Sequence, residues 1–399
     1  MKKVDVIIVG GGIIGLSTAY DLLHRYQTKN VVVLEKEAEV AFHQTGRNSG
    51  VLHSGIYYEP GSLKARNCQA GRMAMQAFCD EQDIPYKICG KVIVATNKTE
   101  IPRLTSIYQR GQANGVICTM IGPERLKELE PWVAGIQAIH VPEAGIVDYK
   151  KVCQKLVKCI AEKGGQVITK CQVTAIEPRD QIVRVSCQSG IFESDYLVNC
   201  AGLHSDRVAR LSGVKPEAKI VPFRGEYYEL ESHVHHLCQG LIYPVPDPNF
   251  PFLGVHFTRM VSGSVECGPN AVLAFAREGY RKTDINLRDF FESITYLGFI
   301  RLARKHWRVG LEEMWRSLSK GAFVQGLQKL VPEITASDLK AAPSGIRAQA
   351  ISPLGSLVYD FEIQESHRVL NVCNAPSPAA TAALNVGRLI VDKLNDRLK

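Results

Sequence analysis

The sequence lacks the features that mark several large classes of protein. Its twelve cysteines include no CxxC pair, and their spacings fit neither a zinc site nor a disulfide scaffold. No apolar run reaches the roughly 18 residues that a membrane-spanning helix needs, and no segment is repeated or of low complexity. We therefore expect a globular, cytoplasmic chain with free thiols and no spanning helix.

Patterns of hydrolytic and nucleic-acid chemistry are missing as well. The sequence contains no nucleophile-elbow or Ser-His-Asp pattern, and its basic residues are dispersed rather than interleaved with aromatic ones. The net charge of +8 permits attraction to anionic substrates or surfaces but identifies none of them. We predict neither a resident metal nor a nucleic-acid partner.

The first 35 residues contain the pattern of a dinucleotide-binding unit. Residues 4–9 form a β-branched run typical of a buried parallel strand, and GGGIIG follows it at residues 10–15. An apolar helical pattern comes next, and a second strand over residues 31–34 leads to Glu35. Strand, glycine motif, helix, strand and acid in this order are far more specific than the glycines alone.

Each element of that pattern has a mechanical reason. Gly10 permits a tight turn, Gly12 lets the backbone approach a pyrophosphate, and Gly15 lets helix and strand pack closely. The amino terminus of the helix offers free N–H groups to phosphates, and Glu35 can accept hydrogen bonds from ribose hydroxyls. The sequence therefore predicts a Rossmann-like α/β domain that binds a dinucleotide.

The next segment favours one family of such proteins. Residues 45–55, TGRNSGVLHSG, are small or hydroxylated and could run beneath a long cofactor. Together with Glu35 this segment resembles the FAD-binding D-amino-acid-oxidase superfamily. Residues 46–58 and 60–65 resemble the L-2-hydroxyglutarate dehydrogenase/oxidase family more closely, and residues 196–202, 221–228, 345–347 and 374–381 extend the resemblance along the chain.

The resemblance implies an FAD cofactor and the residues that hold it. A valine placed like Val173 contacts the adenine through its backbone, and residues 374–381 with the following helix face the flavin. The implied FAD contacts are Gly10, Gly12, Ile14, Gly15, Glu35, Lys36, Thr45, Arg47, Asn48, Ser49, Gly50, Leu52, Val173, Ala201, Gly202, Pro376, Ser377, Ala379, Ala380 and Thr381.

The resemblance also predicts two domains. The FAD-binding domain is discontinuous and comprises residues 1–80, 145–215 and 335–399. Residues 81–144 and 216–334 form an inserted substrate domain, where alternating residues 227–230 and 252–257 predict strands of a mixed or antiparallel sheet.

Oxidation of a 2-hydroxy acid by flavin requires a carboxylate anchor and a base. Arg347 is the candidate anchor, since residues 345–347 resemble the superfamily position for this role. Its planar guanidinium can pair with both carboxylate oxygens. Arg259 is a second cation that could hold a distal carboxylate, and Tyr57 is a candidate for the pocket wall. His53 and His256 are the candidate bases, since imidazole titrates near neutral pH.

Several interpretations remain open from the sequence. The leading substrate is L-2-hydroxyglutarate, with oxygen or a quinone as electron acceptor. The alternatives are an amino acid, an N-methyl amine or glycerol-3-phosphate as substrate, or a flavin-binding protein without turnover. Residues 287–309 predict one helix that ends at Gly310, with a short second helix through Ser319.

A basic face is predicted on the first of these helices. Arg301, Arg304, Lys305 and Arg308 share that face, with Trp307 beside them. The face is either solvated or a peripheral contact with an anionic membrane, such as the inner membrane.

Overall fold

The computed structural model describes residues 2–27, 29–247 and 253–398. The strands are β1 (Lys2–Val9), β2 (Val31–Leu34), β3 (Val51–Leu52), β4 (Tyr86–Ile88), β5 (Lys91–Ala95), β6 (Thr119–Ile121), β7 (Gln137–Val141), β8 (Gly145–Val147), β9 (Gln166–Ile168), β10 (Val173–Pro178), β11 (Val183–Cys187), β12 (Gly190–Asn199), β13 (Lys219–Leu230), β14 (Leu241–Pro244), β15 (His256–Arg259), β16 (Val265–Gly268), β17 (Val272–Leu273), β18 (Leu339–Ile351), β19 (Glu362–Glu365) and β20 (Val369–Asn374).

The helices lie between these strands and after the last of them. They are α1 (Ile13–Arg25), α2 (Leu63–Glu81), α3 (Ile101–Ala113), α4 (Pro123–Leu129), α5 (Tyr149–Glu162), α6 (Ser205–Leu211), α7 (Leu287–Ile294), α8 (Leu297–Leu318), α9 (Lys320–Gln328) and α10 (Ala383–Leu398).

The first sheet is built around β1, whose central residues are fully buried because helices or strands cover both faces. β1 pairs in parallel with β2 and β12, and β12 pairs in parallel with β20. Helices α1, α2, α5 and α10 pack on this sheet in one apolar core. A Cβ atom at Gly387 would lie 2.7 Å from the Ser17 backbone, so this glycine allows α10 to pack closely on α1.

A second sheet of nine strands is mixed, with β13 and β18 forming its longest antiparallel pair. β14 and β5 pair in parallel, while β5 and β7 are antiparallel. Two further apolar clusters lie on this sheet, one beneath α9 and one beneath α3. The short strands β3, β4 and β8 form a third sheet. The predicted fold class, a Rossmann-like domain with an inserted mixed sheet, is confirmed.

The strand pairing places residues 339–351 in a different sheet from the one that the predicted domain boundary implies. Residues 335–399 were expected to belong to the FAD-binding domain, yet β18 lies in the second sheet, where Arg347 pairs with Phe223. Only after Ile351 does the chain return to the first sheet through β19 and β20. We retain the two-domain division as a proposal, with residues 339–351 assigned to the second domain.

The predicted helix over residues 287–309 is wrong in its extent. α7 ends at Ile294, and α8 begins at Leu297 and continues through Gly310 to Leu318. The backbone is non-helical at His306, which lies between Lys305 and Arg308, so the four basic residues are not on one regular helical face. The predicted strand over residues 252–257 is shorter, since β15 begins at His256; Phe252 is outside the described residues.

Candidate active site

A cavity of about 1130 Å³ lies between the two large sheets. Its walls come from the carboxyl end of β1, the amino terminus of α1, residues 44–53 and the loop after β20 on one side, and from β13, β14, β15 and β18 on the other. This volume exceeds that of an ordinary small-ligand pocket, roughly 300–1,000 Å³. It therefore has room for a dinucleotide together with a small substrate.

Two of the fingerprint glycines are required by backbone packing. Gly10 has φ +113°, and a Cβ atom there would lie 2.5 Å from the carbonyl oxygen of Cys200. A Cβ atom at Gly15 would lie 2.0 Å from the carbonyl oxygen of Gly10. Gly15 does not line the cavity, and the structure assigns it the helix–strand contact.

Gly12 differs because the space above it is open. Its φ is −77°, and a Cβ atom there would meet only Thr45 Oγ1, at 3.4 Å. Gly12, Ile13 and Ile14 line the cavity at the start of α1. The N–H of Ile13 donates to Thr45 Oγ1 (3.1 Å). An open glycine at a helix amino terminus fits the approach of a pyrophosphate.

Glu35 and Lys36 lie where the cavity meets the end of β2. The Glu35 carboxylate accepts hydrogen bonds from the backbone N–H groups of Gly11 (2.7 Å) and Glu37 (2.9 Å), which fixes its orientation. Its remaining lone pairs can accept from ribose hydroxyls. Burial lowers the pKa of Lys36, but hydrogen bonds to Glu278 and Glu37 outweigh it and raise that pKa.

Residues 45–55, predicted to run beneath the cofactor, lie partly at the cavity wall and partly in the core. Thr45, Arg47, Asn48 and Ser49 line the cavity. The Arg47 guanidinium lies 3.9 Å from the centroid of the Tyr280 ring, and Asn48 braces the turn by donating to the carbonyl groups of Gln44 and Thr45.

Two residues of the same segment lie outside the cavity lining. Gly50 has φ +66° and packs against the carbonyl oxygen of Val147, and Leu52 is fully buried in the first core. Both residues therefore have packing roles, and their cofactor contacts stay a prediction.

The other expected cofactor residues line the cavity at two places. Val173, Ala201 and Gly202 lie at one, and Pro376, Ser377, Ala379, Ala380 and Thr381 form the loop at the other. Thr381 ties this loop to the segment opposite, because its hydroxyl donates to the carbonyl oxygen of Val51 (3.1 Å) and accepts from the backbone N–H of His53 (3.2 Å).

His256 is a cavity residue with a defined tautomer. Its Nδ1 lies 2.8 Å from the carbonyl oxygen of Gly254, which can only accept, so Nδ1 carries the hydrogen and Nε2 has the free lone pair. The ring stacks on Tyr243 with centroids 4.0 Å apart. Burial, with smaller effects from Lys91 and Arg347, lowers the pKa of His256 to about 3. The imidazole is therefore neutral and can accept a proton through Nε2.

His53 lines the same cavity from the opposite wall, just after β3. Burial lowers its pKa well below the usual value, and the positive charge of Lys91 and the nearby His256 act in the same direction. The two predicted bases are thus brought together from positions 203 residues apart (256 − 53).

Arg347 also lines the cavity, on β18. Burial lowers its pKa, and Tyr227 opposes that shift. Gly345 permits this approach of β18 to the cofactor segment, since a Cβ atom there would lie 2.3 Å from the carbonyl oxygen of Arg47. The arrangement places a guanidinium in the same cavity as two neutral imidazoles.

Two predicted substrate residues are not at the cavity wall. Arg259 donates to the backbone carbonyl groups of His235 (3.0 Å) and Cys238 (2.9 Å), away from the lining, so we do not assign it a distal carboxylate. Tyr57 lies behind the lining residues, and its buried hydroxyl has no hydrogen-bond partner among the described residues.

Sequence reasoning missed two tyrosines and two lysines at this site. Tyr227, Tyr243 and Lys64 line the cavity, and Lys91 lies beside Tyr243. Tyr227 was visible as part of a strand, but a strand pattern does not show which cavity its face meets. Lys91 follows Gly90 at the start of an apolar run, where a lysine ordinarily marks an exposed strand end.

One group near the cavity has the composition of a metal site. Side-chain atoms of Glu37, His43 and Glu278 lie within 4.8 Å of one another. The ammonium group of Lys36 forms ion pairs with both carboxylates, 2.6 Å from Glu278. Lys36 thus already supplies the positive charge that a cation would bring, and we assign no metal here.

Comparison with known proteins places this geometry in a family. The family model described as FAD dependent oxidoreductase matches residues 5–393. The L-2-hydroxyglutarate dehydrogenase of Indibacter alkaliphilus is 49% identical over 97% of this chain and 98% of its own. The enzyme of that name from Escherichia coli K12 is 45% identical over 99% and 94%, and the human mitochondrial one is 45% identical over 99% and 89%.

Solved structures show the same fold at lower identity. Dithionite-reduced L-α-glycerophosphate oxidase from Mycoplasma pneumoniae, with FAD bound, superimposes with a TM-score of 0.82 at 23% identity and covers 99% of this chain and 95% of its own. Glycine oxidase from Geobacillus kaustophilus gives 0.76 at 19%, over 100% and 95%. The chain belongs to the L-2-hydroxyglutarate dehydrogenase family of FAD-dependent oxidoreductases.

Proposed function

We propose that this protein oxidises L-2-hydroxyglutarate to 2-oxoglutarate with FAD as its cofactor. The observation that carries the proposal is the cavity, which joins a dinucleotide fingerprint to a buried guanidinium and two neutral imidazoles. The relatives that match almost the whole chain are L-2-hydroxyglutarate dehydrogenases, which favours this substrate over an amino acid, an amine or glycerol-3-phosphate.

Bound FAD supplies the hydride acceptor at flavin N5. For this chain we assign the substrate's 1-carboxylate to Arg347, whose planar guanidinium can donate to both oxygens. The imidazole of His256 accepts the hydroxyl proton at Nε2, which the bond from Nδ1 to Gly254 leaves free. His53 is the second candidate for that role.

Anaerobic reduction of the bound flavin tests this function. Purified protein is mixed with L-2-hydroxyglutarate, its D enantiomer, lactate, amino acids or glycerol-3-phosphate, and loss of the visible absorbance of oxidised flavin is followed. We expect the fastest bleaching with L-2-hydroxyglutarate. Faster reduction by an amino acid or by glycerol-3-phosphate, or no reduction by any of the panel, would reject the proposal.

Changing Arg347 to lysine is expected to weaken substrate binding while FAD stays bound. The lysine ammonium group cannot donate to both carboxylate oxygens at once as the planar guanidinium can. We therefore expect the substrate dissociation constant, measured by anaerobic flavin reduction, to rise roughly 10-fold. The ratio of bound flavin to protein serves as the control. An unchanged dissociation constant would mean that another group anchors the 1-carboxylate.

For the electron acceptor we propose oxygen or a quinone, and for the latter a contact with an anionic membrane. Within the described residues, no helix combines the length and apolarity needed to cross a bilayer. α8 nevertheless exposes large apolar side chains beside its basic residues, among them Trp307 (56% exposed), Leu311 (57%) and Trp315 (64%). Indole and aliphatic groups next to cations suit the surface of an anionic bilayer.

Vesicle sedimentation tests the membrane contact. Arg301 is exposed but donates to the carbonyl oxygen of Pro353, so the exposed cations chosen for the test are Arg304, Lys305 and Arg308. At roughly 1 kcal/mol each, changing these three to glutamine should weaken binding to anionic vesicles on the order of 100-fold at low salt. Glutamine at Lys98, Lys127 and Lys158 removes the same charge from exposed positions elsewhere and should have little effect. Equal effects of the two triple variants, or no binding by the parent protein, would contradict the contact.

A further inference from the structure

Lys91 is a lysine placed inside an apolar cluster. It begins β5 and pairs with Leu241 on β14 and with Val141 on β7. Both partners belong to one apolar cluster, which also contains Ile93, Ile139 and Tyr243. Only 2% of Lys91 is exposed. Its ammonium group lies 4.2 Å from the ring centroid of Tyr243 and 5.5 Å from that of Tyr57. A long charged side chain is therefore directed into the protein rather than along its surface.

No carboxylate of the described residues compensates this charge. Across residues 2–27, 29–247 and 253–398, Lys91 forms no ion pair, and the groups that perturb it besides burial are the thiols Cys68 and Cys89. Burial lowers the pKa of Lys91 to about 8, so it stays largely protonated at neutral pH. Lys64, which lines the cavity, differs because Asp360 lies close enough to stabilise its charge.

A buried cation without a counter-ion destabilises the folded state unless something anionic offsets it. The ring faces of Tyr57 and Tyr243 offset part of the cost through cation–π attraction. Tyr243, His53 and His256 line the cavity, and the positive charge of Lys91 acts on both imidazoles. The ammonium group therefore lies behind the part of the cavity wall that Tyr243, His53 and His256 form. An anion bound there would be attracted by its positive charge.

We propose that the buried ammonium group of Lys91 is a specificity-determining charge that makes the cavity prefer a dianionic 2-hydroxy acid to a monoanionic one. The inference rests on the proposed function and names the second cation that a dicarboxylate requires beside Arg347. Lys91 acts through the cavity wall, so it is a positioning residue. Opposite unit charges roughly 6–10 Å apart at an effective dielectric constant of about 20 change an equilibrium by a factor of roughly 10–100.

The test compares two substrates of equal length. The FAD-loaded protein is reduced anaerobically with L-2-hydroxyglutarate or with L-2-hydroxypentanoate, in which a methyl group replaces the distal carboxylate. For Lys91→Met we expect the preference for the dianion, measured as the ratio of reduction rate constant to dissociation constant, to fall roughly 10- to 100-fold. The loss should appear mainly in the dissociation constant for L-2-hydroxyglutarate, because the charge binds the substrate and does not react with it.

Matched variants separate charge from packing. Methionine preserves the length of the side chain and removes a costly buried charge, so the melting temperature should not fall; Lys91→Gln should repeat the change in preference. Lys127→Met removes the same charge from an exposed position on α4 and should leave the preference unchanged. A direct measurement on the parent protein, binding of glutarate against pentanoate, should favour the dianion.

The outcomes distinguish the two proposals. The role of Lys91 would be overturned if Lys91→Met and Lys91→Gln lowered the reduction efficiency equally for both substrates, or left the preference for the dianion unchanged. It would also be overturned if the parent protein showed no preference for the dianion. In each of these cases the oxidase or dehydrogenase function stands. If the parent protein's flavin is reduced by neither 2-hydroxy acid, the proposed function itself has failed.

Discussion

Valine at Gly12 is expected to abolish FAD binding while leaving the protein folded. The backbone at Gly12, with φ −77°, is open to any residue, and its Cβ atom would meet no protein atom closer than 3.4 Å. The added side chain would instead occupy the cavity where the pyrophosphate approaches the amino terminus of α1. Flavin released on denaturation, measured after reconstitution with FAD, should fall from near one per chain to near none.

Two other glycines supply the controls for this experiment. Gly15→Val should unfold the protein, because its Cβ atom would lie 2.0 Å from the carbonyl oxygen of Gly10. Gly310→Val adds the same side chain where nothing lies within 4 Å and should retain FAD. A folded Gly12→Val protein with full flavin content would show that the pyrophosphate lies elsewhere, whereas an unfolded one would contradict the open space at this glycine.

Removing the imidazole of His256 is expected to slow flavin reduction by L-2-hydroxyglutarate roughly 10²- to 10⁴-fold, the range for loss of a general base. The physical reason is the fixed tautomer: Nδ1 donates to Gly254, and Nε2 is the atom left to accept the substrate proton. Stopped-flow reduction of the His256→Ala protein under anaerobic conditions measures the rate, and flavin content reports whether the cofactor remains in place.

His53→Ala separates the two candidate bases. If His53 only packs beside the flavin, its variant should bind FAD more weakly and lose less of the reduction rate than His256→Ala. His236, which is exposed and bonds within its own turn, provides a control histidine. Parent-like reduction rates in both His256→Ala and His53→Ala would mean that a water molecule or another group takes the proton.

The cofactor site could be predicted because its information is local. Residues 4–15 and 31–35 form a strand, a turn, a helix and a second strand in direct succession, so the spacing of glycines and acid fixes their relative positions. The roles of Gly10 and Gly15 follow from backbone contacts within that unit and the strand beside it. The resemblance then extended this local pattern to the family, and the candidate bases His53 and His256 line one cavity.

The substrate side depended on contacts between distant segments, which spacing along the chain does not encode. Arg259 and Arg347 are both arginines on strands, yet pairing places Arg347 at the cavity and leaves Arg259 bonded to loop carbonyl groups. Lys91 looks like a strand end in the sequence, and only the packing of β5 beside β14 buries it next to Tyr243. The sequence by itself therefore determined the family and the cofactor and supplied candidates for the reacting groups. The tertiary structure decided which charges surround the cavity, because electrostatic interactions depend on distance through space.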